Sequence, residues 1–191
     1  TTRHGLQRVV DGVPGGPAIS YYHHTAPCPD LLLSKDYNFH DIGMVGLGRM
    51  GGNMVARIKR DSEHDVVAFD LGAGAVADAV EHGARGASSL EELVSMLDAP
   101  RIVWVMVPAG EPTQATVDEL ASLLDAGDTI VDGGNSKWTD DVTRGEALAL
   151  EGIHYVDVGT SGGVWGLEVG YCMMAGGPDE AIERLAPFLD V

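Results

Sequence analysis

Three glycines with the spacing of a phosphate-binding turn mark the part of the sequence best suited to chemistry. The stretch from Ile42 to Asn53 reads I-G-M-V-G-L-G-R-M-G-G-N, in which Gly46, Gly48 and Gly51 fit the pattern G-x-G-x-x-G. We expect Gly46 to form a tight turn, Gly48 to let phosphates approach the backbone, and Gly51 to let a helix pack closely on its strand. The free N–H groups at the start of that helix would then bind a diphosphate.

A carboxylate follows at the distance that a dinucleotide requires. The predicted strand Asp65–Phe69 ends in Asp70, which lies 19 residues beyond Gly51. This is where a strand–turn–helix–strand unit places the acid that accepts hydrogen bonds from the adenosine ribose. Asp70 would repel a 2′-phosphate, and the next residues, Leu71-Gly72-Ala73, contain no arginine. The sequence therefore favours NAD over NADP.

Three more loops follow predicted strands and carry small or polar residues. They are Val107-Pro108-Ala109, Gly133-Gly134-Asn135-Ser136 and Ser161-Gly162-Gly163. In an open α/β sheet the ligand lies across the carboxyl ends of the strands, so we expect these loops to surround it. Asn135 and Ser161 offer short neutral side chains that orient a ligand but do not readily remove a proton.

Two other candidate residues have simpler interpretations. Lys137 is more plausible as a solvated lysine at the start of a helix than as a phosphate ligand. His154 lies within an apolar strand pattern and is interpreted as a packed histidine rather than a base.

Short apolar runs alternate with amphipathic stretches from Asp41 onward. This alternation predicts βα units and an α/β fold of the Rossmann type, with a doubly wound, mostly parallel sheet and helices on both faces. The predicted strands are Asp41–Val45, Asp65–Phe69, Ile102–Val107, Thr129–Asp132, Ile153–Val158 and Tyr171–Ala175. Six helices are predicted. The first follows the glycine turn, the second covers Gly72–His82 with Val76 and Val80 facing inward, and the third begins at Ser89. The fourth runs through residues 117–124, the fifth covers Trp138–Glu151, and the sixth begins at Pro178.

Residues 1–40 differ from the rest, and we expect two parts: an irregular arm over 1–40 and a dinucleotide-binding domain over 41–191. The pair His23-His24 near Cys28 suggests a metal site, but adjacent side chains point apart, so we predict no metal. Cys28 and Cys172 are the only cysteines and are expected to be free thiols.

The composition excludes several classes of partner. The 191 residues carry a net charge of −17, which disfavours binding to nucleic acid or to anionic membranes. No apolar run approaches the ~20 residues of a membrane span. No apolar signal-peptide core follows the first residues, so the sequence predicts a cytoplasmic protein.

The three motifs G-L-G-R-M-G-G-N-M, D-G-G-N-S and G-T-S-G-G-V-W-G-L-E-V-G occur in the order found in a known enzyme family. Together they closely resemble the N-terminal cofactor domain of decarboxylating 6-phosphogluconate dehydrogenases, over residues 41–191. Asp70, where NADP-linked members carry Asn-Arg-Thr, makes the chain similar to the NAD-preferring branch.

The resemblance implies a reaction and a role for each matching residue. The family oxidises 6-phosphogluconate, passes the hydride to the nicotinamide, and releases CO2 to give ribulose 5-phosphate in the pentose phosphate pathway, during gluconate use, and for this chain the implied cofactor is NAD. By resemblance, Asn135 contacts both nicotinamide and substrate, while Ser161, Gly162 and Gly163 hold the substrate. The implied cofactor-binding residues are Gly46, Leu47, Gly48, Arg49, Met50, Gly51, Asp70, Val107, Pro108, Ala109 and Asn135.

The sequence ends at Val191. By resemblance, the segment that follows this position in the family carries its catalytic Lys, a His-Asn pair and a Glu proton donor, and leads into a C-terminal helical domain, and we expect residues 41–191 to contain none of these. We therefore expect the chain to bind NAD with little or no turnover, and we leave homo-oligomer formation open. A 3-hydroxyisobutyrate-type dehydrogenase, which would carry Ser-Thr in place of Gly133-Gly134-Asn135, and a non-catalytic dinucleotide-binding module are the alternatives.

Overall fold

The described residues form an eight-stranded sheet with helices on both faces. A computed structural model describes residues 19–22 and 40–191. The strand order is β1-β8-β7-β6-β5-β2-β3-β4. The six strands β7, β6, β5, β2, β3 and β4 run parallel to one another. Strand β8 pairs antiparallel with β7 on one side and with β1 on the other. The strands are β1 (Ile19–Tyr22), β2 (Asp41–Val45), β3 (Asp65–Phe69), β4 (Arg85–Gly86), β5 (Ile102–Val105), β6 (Thr129–Asp132), β7 (His154–Ser161) and β8 (Cys172–Gly176).

The helices form two layers that enclose the sheet. They are α1 (Arg49–Asp61), α2 (Ala73–Glu81), α3 (Leu90–Ser95), α4 (Glu111–Leu123), α5 (Trp138–Ala149), α6 (Gly166–Val169) and α7 (Asp179–Leu189), with a 3-10 turn at Gly163–Trp165. One apolar cluster joins the sheet to α1, α2 and α7, and a second joins it to α3, α4 and α5. The predicted doubly wound α/β fold is confirmed.

The chain reverses direction across the sheet beside β2. From β2 it moves outward to β3 and β4, and then returns to β5 on the other side of β2. This reversal opens a crevice at the carboxyl ends of β2 and β5, which is where α/β sheets bind their ligands. The residues that follow β2, β3, β5 and β6 therefore meet at one edge of the sheet.

Several local predictions need correction. Val80 was expected to face inward, but it is 48% exposed, and Ala79 is the buried residue of α2. The segment from Gly159 to Ser161 was expected to be a loop, but it continues β7, because it pairs with β8. The two-residue strand β4 was missed, since it is too short to show a pattern.

The N-terminal segment was expected to be irregular, yet Ile19–Tyr22 forms β1 and pairs with β8. The other residues before His40 lie outside the described part, and so do His23, His24 and Cys28 of the rejected metal hypothesis. Within the described residues, no helix is long and apolar enough to cross a membrane.

Candidate functional site

The glycine turn has the geometry that the sequence predicted. Gly46 has φ +91°, and a Cβ on it would lie 2.6 Å from the carbonyl oxygen of Met106. A Cβ on Gly51 would lie 2.0 Å from the carbonyl oxygen of Gly46, so only glycine lets α1 start this close to its strand. A Cβ on Gly48 would meet nothing within 4 Å, which leaves room for a ligand against the backbone.

The start of α1 can bind an anion. Gly48 is the N-cap residue; no side chain caps the helix and its first turn holds no acidic residue. The first N–H groups of a helix have no partner within the helix, and the helix dipole makes this end positive. Arg49 is the only lysine or arginine among the described residues that line the adjacent cleft.

Asp70 lies at the end of β3 and is oriented by the backbone. Its Oδ2 accepts a hydrogen bond from the N–H of Leu47 at 2.7 Å, and its Oδ1 accepts one from the N–H of Gly72 at 2.7 Å. Each carboxylate oxygen can accept a further bond, so both remain available to ribose hydroxyls. The glycine turn and the acid are therefore fixed to each other before any ligand binds.

A cleft of about 1300 Å³ runs along this edge of the sheet. Asp70 follows β3 and Asn135 follows β6, which is three strands away in the order β6-β5-β2-β3. At ~4.8 Å per strand the two ends are about 14 Å apart, enough for an extended dinucleotide. Of the predicted residues, those in the lining are Gly46, Gly48, Arg49, Met50, Gly51, Asp70, Val107, Pro108, Ala109, Asn135 and Ser161.

Three predicted residues lie outside the lining. Leu47 is 7% exposed and reaches the site through its N–H bond to Asp70. Gly162 and Gly163 begin the turn beyond β7, both with positive φ, and are not in the cleft wall. This end of the cleft is lined by Thr160 and the predicted Ser161 of β7, and by Cys172 and Met174 of β8.

The Gly133–Ser136 loop is shaped by tight packing beneath it. A Cβ on Gly133 would lie 2.1 Å from Nε1 of Trp104, whose side chain is 1% exposed. The N–H of Gly133 donates to the carbonyl of Val105 at 2.9 Å, which continues the ladder between β5 and β6. Asn135 is left exposed at the cleft.

Sequence reasoning missed a group of buried charged residues under this loop. Asp132, Asp141 and Arg144 are all at most 6% exposed, and Tyr155 bonds to both acids. A signal was present: Asp141, Arg144 and Leu148 are spaced i, i+3 and i+7, so α5 places two charges on its buried face.

Other candidates have simple structural roles. Lys137 is exposed at the N-cap of α5. His154 is half-buried, with Nδ1 2.9 Å from a guanidinium nitrogen of Arg184. Cys172 is a free, exposed thiol. Within residues 40–191 and β1, no group of three or more His, Cys, Asp or Glu residues could hold a metal ion.

The fold and this edge define an NAD(P)-binding domain of a dehydrogenase. The family model described as the NAD binding domain of 6-phosphogluconate dehydrogenase matches residues 41–191, and the chain belongs to this family.

Curated relatives carry the same name. A 6-phosphogluconate dehydrogenase, NAD(+)-dependent, decarboxylating, from Haloferax volcanii is 47% identical over 149 residues, which are 78% of this chain and 48% of the relative. A 6-phosphogluconate dehydrogenase, decarboxylating, from Staphylococcus aureus is 38% identical over 154 residues, covering 78% of this chain and 32% of the relative. The chain thus spans about half the length of the first relative and a third of the second.

Solved structures with the same fold include two kinds of enzyme. A Plasmodium falciparum 6-phosphogluconate dehydrogenase, described with its cofactor NADP+ and its substrate, matches with a TM-score of 0.73 and 26% identity over 78% of this chain and 33% of that one. A Mycobacterium tuberculosis 3-hydroxyisobutyrate dehydrogenase described with L-serine matches with a TM-score of 0.71 and 26% identity, covering 80% and 52%.

Proposed function

We propose that this chain is the cofactor domain of an NAD-dependent enzyme that oxidatively decarboxylates 6-phosphogluconate to ribulose 5-phosphate. The observation that carries the proposal is the D-G-G-N-S loop after β6, which holds Asn135 exposed at the cleft opposite Asp70. In this arrangement Asp70 binds the adenosine ribose and the start of α1 binds the diphosphate. Asn135 then contacts the nicotinamide and the substrate, and Ser161 contacts the substrate beside it.

The preference for NAD follows from the charges in the cleft. Both oxygens of Asp70 lie where the ribose hydroxyls would bind, and Arg49 is the one basic residue in the described lining. A 2′-phosphate would face the carboxylate, and juxtaposed like charges cost several kcal/mol.

Titration with both cofactors tests this preference. The purified chain should bind NAD more tightly than NADP by at least about tenfold, in line with that repulsion. Asp70→Asn should bring the dissociation constants of NAD and NADP closer together, because the substitution removes the negative charge and keeps the shape of the side chain. Equal or tighter binding of NADP by the unaltered chain would overturn the assignment.

The substrate is tested against the alternative enzyme. The NAD-saturated chain is titrated with 6-phosphogluconate and with 3-hydroxyisobutyrate, and the side-chain amide of Asn135 is followed by NMR. We expect 6-phosphogluconate to shift this signal at lower concentration. A response to 3-hydroxyisobutyrate alone would favour the other branch of the fold family, which the Mycobacterium tuberculosis structure represents.

The cleft itself suggests that binding occurs without efficient turnover. Its described lining contains no lysine and no histidine, and Asn135 and Ser161 are poor bases. The alcohol of the substrate therefore has no lysine or histidine of the described lining beside it to take its proton. Purified 191-residue chain should produce negligible NADH from 6-phosphogluconate, and substantial NADH production would contradict this.

A further inference from the structure

The buried charged residues beneath the Gly133–Ser136 loop have no part in the proposed function so far. Asp132 is 1% exposed, Asp141 5%, Arg144 6% and Tyr155 6%. They come from three elements: the end of β6, α5 and the start of β7. Burying charges is costly unless they are paired, and here the guanidinium of Arg144 pairs with the carboxylate of Asp141 at 2.9 Å.

Asp132 fixes the loop on both sides of Asn135. Its Oδ1 accepts a hydrogen bond from the N–H of Gly134 at 2.9 Å. Its Oδ2 accepts one from the hydroxyl of Ser136 at 2.7 Å. The residue before Asn135 and the residue after it are thus attached to one carboxylate, which restricts where the Asn135 backbone can lie.

Asp132 is itself held from below. The hydroxyl of Tyr155 lies 3.0 Å from its Oδ2, and a guanidinium nitrogen of Arg144 lies 3.6 Å from the same atom. Arg144 is oriented by Asp141 at 2.9 Å and by the side-chain oxygen of Gln114 on α4 at 3.0 Å. The chain of contacts therefore leads from two helices to the loop that carries Asn135.

Tyr155 joins the two acids through a single hydroxyl. Its oxygen is 3.0 Å from Asp132 and 2.9 Å from Asp141, but a phenol has only one proton to donate. Both contacts are hydrogen bonds only if one carboxyl holds a proton. Burial raises the pKa of Asp141, and the charge of Asp132 raises it further, which is consistent with a shared proton.

We propose that Asp132 is a positioning residue for Asn135 and that it is held in place by Tyr155 and Arg144. They fix the carboxylate, the carboxylate fixes the loop, and the loop presents the Asn135 amide to the nicotinamide. The inference rests on the proposed function, in which Asn135 contacts that ring. It concerns only the nicotinamide end, because the adenosine end is held by Asp70 and the glycine turn, three strands away.

Comparing NAD with ADP-ribose isolates the nicotinamide end, since ADP-ribose has the same adenosine and diphosphate without that ring. Dissociation constants of both ligands are measured by calorimetry for the unaltered chain, Tyr155→Phe and Ser136→Ala. We expect each variant to weaken NAD binding by about three- to tenfold, as the loss of one ordinary hydrogen bond does, and to leave ADP-ribose unchanged. Ser136 is only half-buried, so its variant provides the test even if Tyr155→Phe does not fold.

Asp128→Asn is the matched control. Asp128 is 1% exposed and lies directly before the first residue of β6, at the end of the strand away from the cleft. Its carboxylate accepts hydrogen bonds from the backbone N–H and from the guanidinium of Arg101. Its loss should lower stability and leave both dissociation constants unchanged. If a variant weakens both ligands equally, or neither, the positioning role is wrong.

The same measurements separate this inference from the proposed function. An unaltered chain that binds neither ligand contradicts the proposed function. A chain that binds both ligands equally tightly keeps its nucleotide site but has no nicotinamide contact for the loop to support, and this contradicts the positioning role.

Discussion

Gly48 and Gly51, three residues apart in the glycine turn, have opposite surroundings. A Cβ on Gly51 would lie 2.0 Å from the carbonyl oxygen of Gly46, whereas a Cβ on Gly48 would meet no atom within 4 Å. Gly48 also has φ −59° and ψ −174°, which alanine adopts without strain. In the proposed function the open space at Gly48 receives the diphosphate, whereas the absence of a Cβ on Gly51 allows α1 to pack against β2.

Alanine substitutions should separate these two roles. Gly51→Ala should lower the free energy of unfolding by about 2 kcal/mol or more, because the backbone must shift to relieve the clash. Gly48→Ala should unfold like the unaltered chain but bind NAD more weakly, since its methyl group occupies the space next to the diphosphate. Urea denaturation and NAD titration measure the two effects. Identical behaviour of the two variants would contradict the assignment.

At the scale of elements, the sequence predicted most strands because their signals are local. β2, β3 and β6 were predicted to the residue, since each is a short apolar run bounded by polar or glycine residues. The extension of β7 to Ser161 was not visible, because it depends on pairing with β8. Nor did local pattern show that Val80 faces solvent, since neighbouring elements decide which side of α2 is covered.

The spacing Ser89-Leu90-Glu91-Glu92 is typical of a capping box, in which two hydrogen bonds are made reciprocally, and the structure forms this box in part. The hydroxyl of Ser89 accepts from the N–H of Glu92 at 3.0 Å, but the Glu92 carboxylate accepts from the N–H of Ser88, one residue earlier than expected, at 2.7 Å. Ser89→Ala should lower the free energy of unfolding by about 1 kcal/mol. Ser122→Ala on α4 is the control, with a change within about 0.5 kcal/mol. Equal effects in denaturation experiments would refute the cap.

The pairing of β6 with β7 places Asp157 beside Asp132. Burial raises the pKa of Asp157 to about 6, and the charges of Asp141 and Asp132 add to the shift. In the unfolded chain an aspartate titrates near 3.9, so the folded state binds the proton first as the pH falls. Charged Asp157 therefore destabilises the fold above pH ~6, and this penalty disappears as the pH falls towards ~4.

Asp157→Asn should consequently be more stable than the unaltered chain at pH 7.5, and the difference should shrink at pH 5.0. Urea denaturation at the two pH values measures it. Glu146→Gln on the exposed side of α5 is the control. Its free energy of unfolding should differ from that of the unaltered chain by nearly the same amount at both pH values. If the stability gain of Asp157→Asn is larger at pH 5.0 than at pH 7.5, the pKa of Asp157 is not raised by folding and the prediction is wrong.

At the scale of the whole molecule, the site divides into a part that sequence could predict and a part that it could not. The glycine turn, Asp70 and the loops after β5 and β6 were predictable, because consecutive residues in the sequence determine their backbone geometry. The support beneath Asn135 was not, because Asp132, Arg144 and Tyr155 are brought together only when α5 packs on the sheet. The departure of Gly162 and Gly163 from the cleft wall also depends on a tertiary contact, since β7 is extended to Ser161 by its pairing with β8.

The net charge of −17 has a consequence for the stability of the molecule as a whole. Like charges in a compact fold repel each other, and salt screens this repulsion as the Debye length falls from ~30 Å at 0.01 M to ~10 Å at 0.1 M. Salt also weakens surface ion pairs, but these contribute at most about 1 kcal/mol each, while a buried pair such as Arg144 and Asp141 is screened much less.

The relief of repulsion should therefore outweigh the loss of surface pairs, and the free energy of unfolding should rise between 0.01 and 0.1 M salt. Urea denaturation at pH 7.5 in sodium chloride, repeated in potassium chloride to exclude a specific ion effect, measures this change. Sulfate is avoided because it strengthens apolar burial regardless of charge. A free energy of unfolding that falls in either chloride salt would contradict this prediction. It would mean that the described ion pairs stabilise the fold by more than the repulsion from the net charge destabilises it.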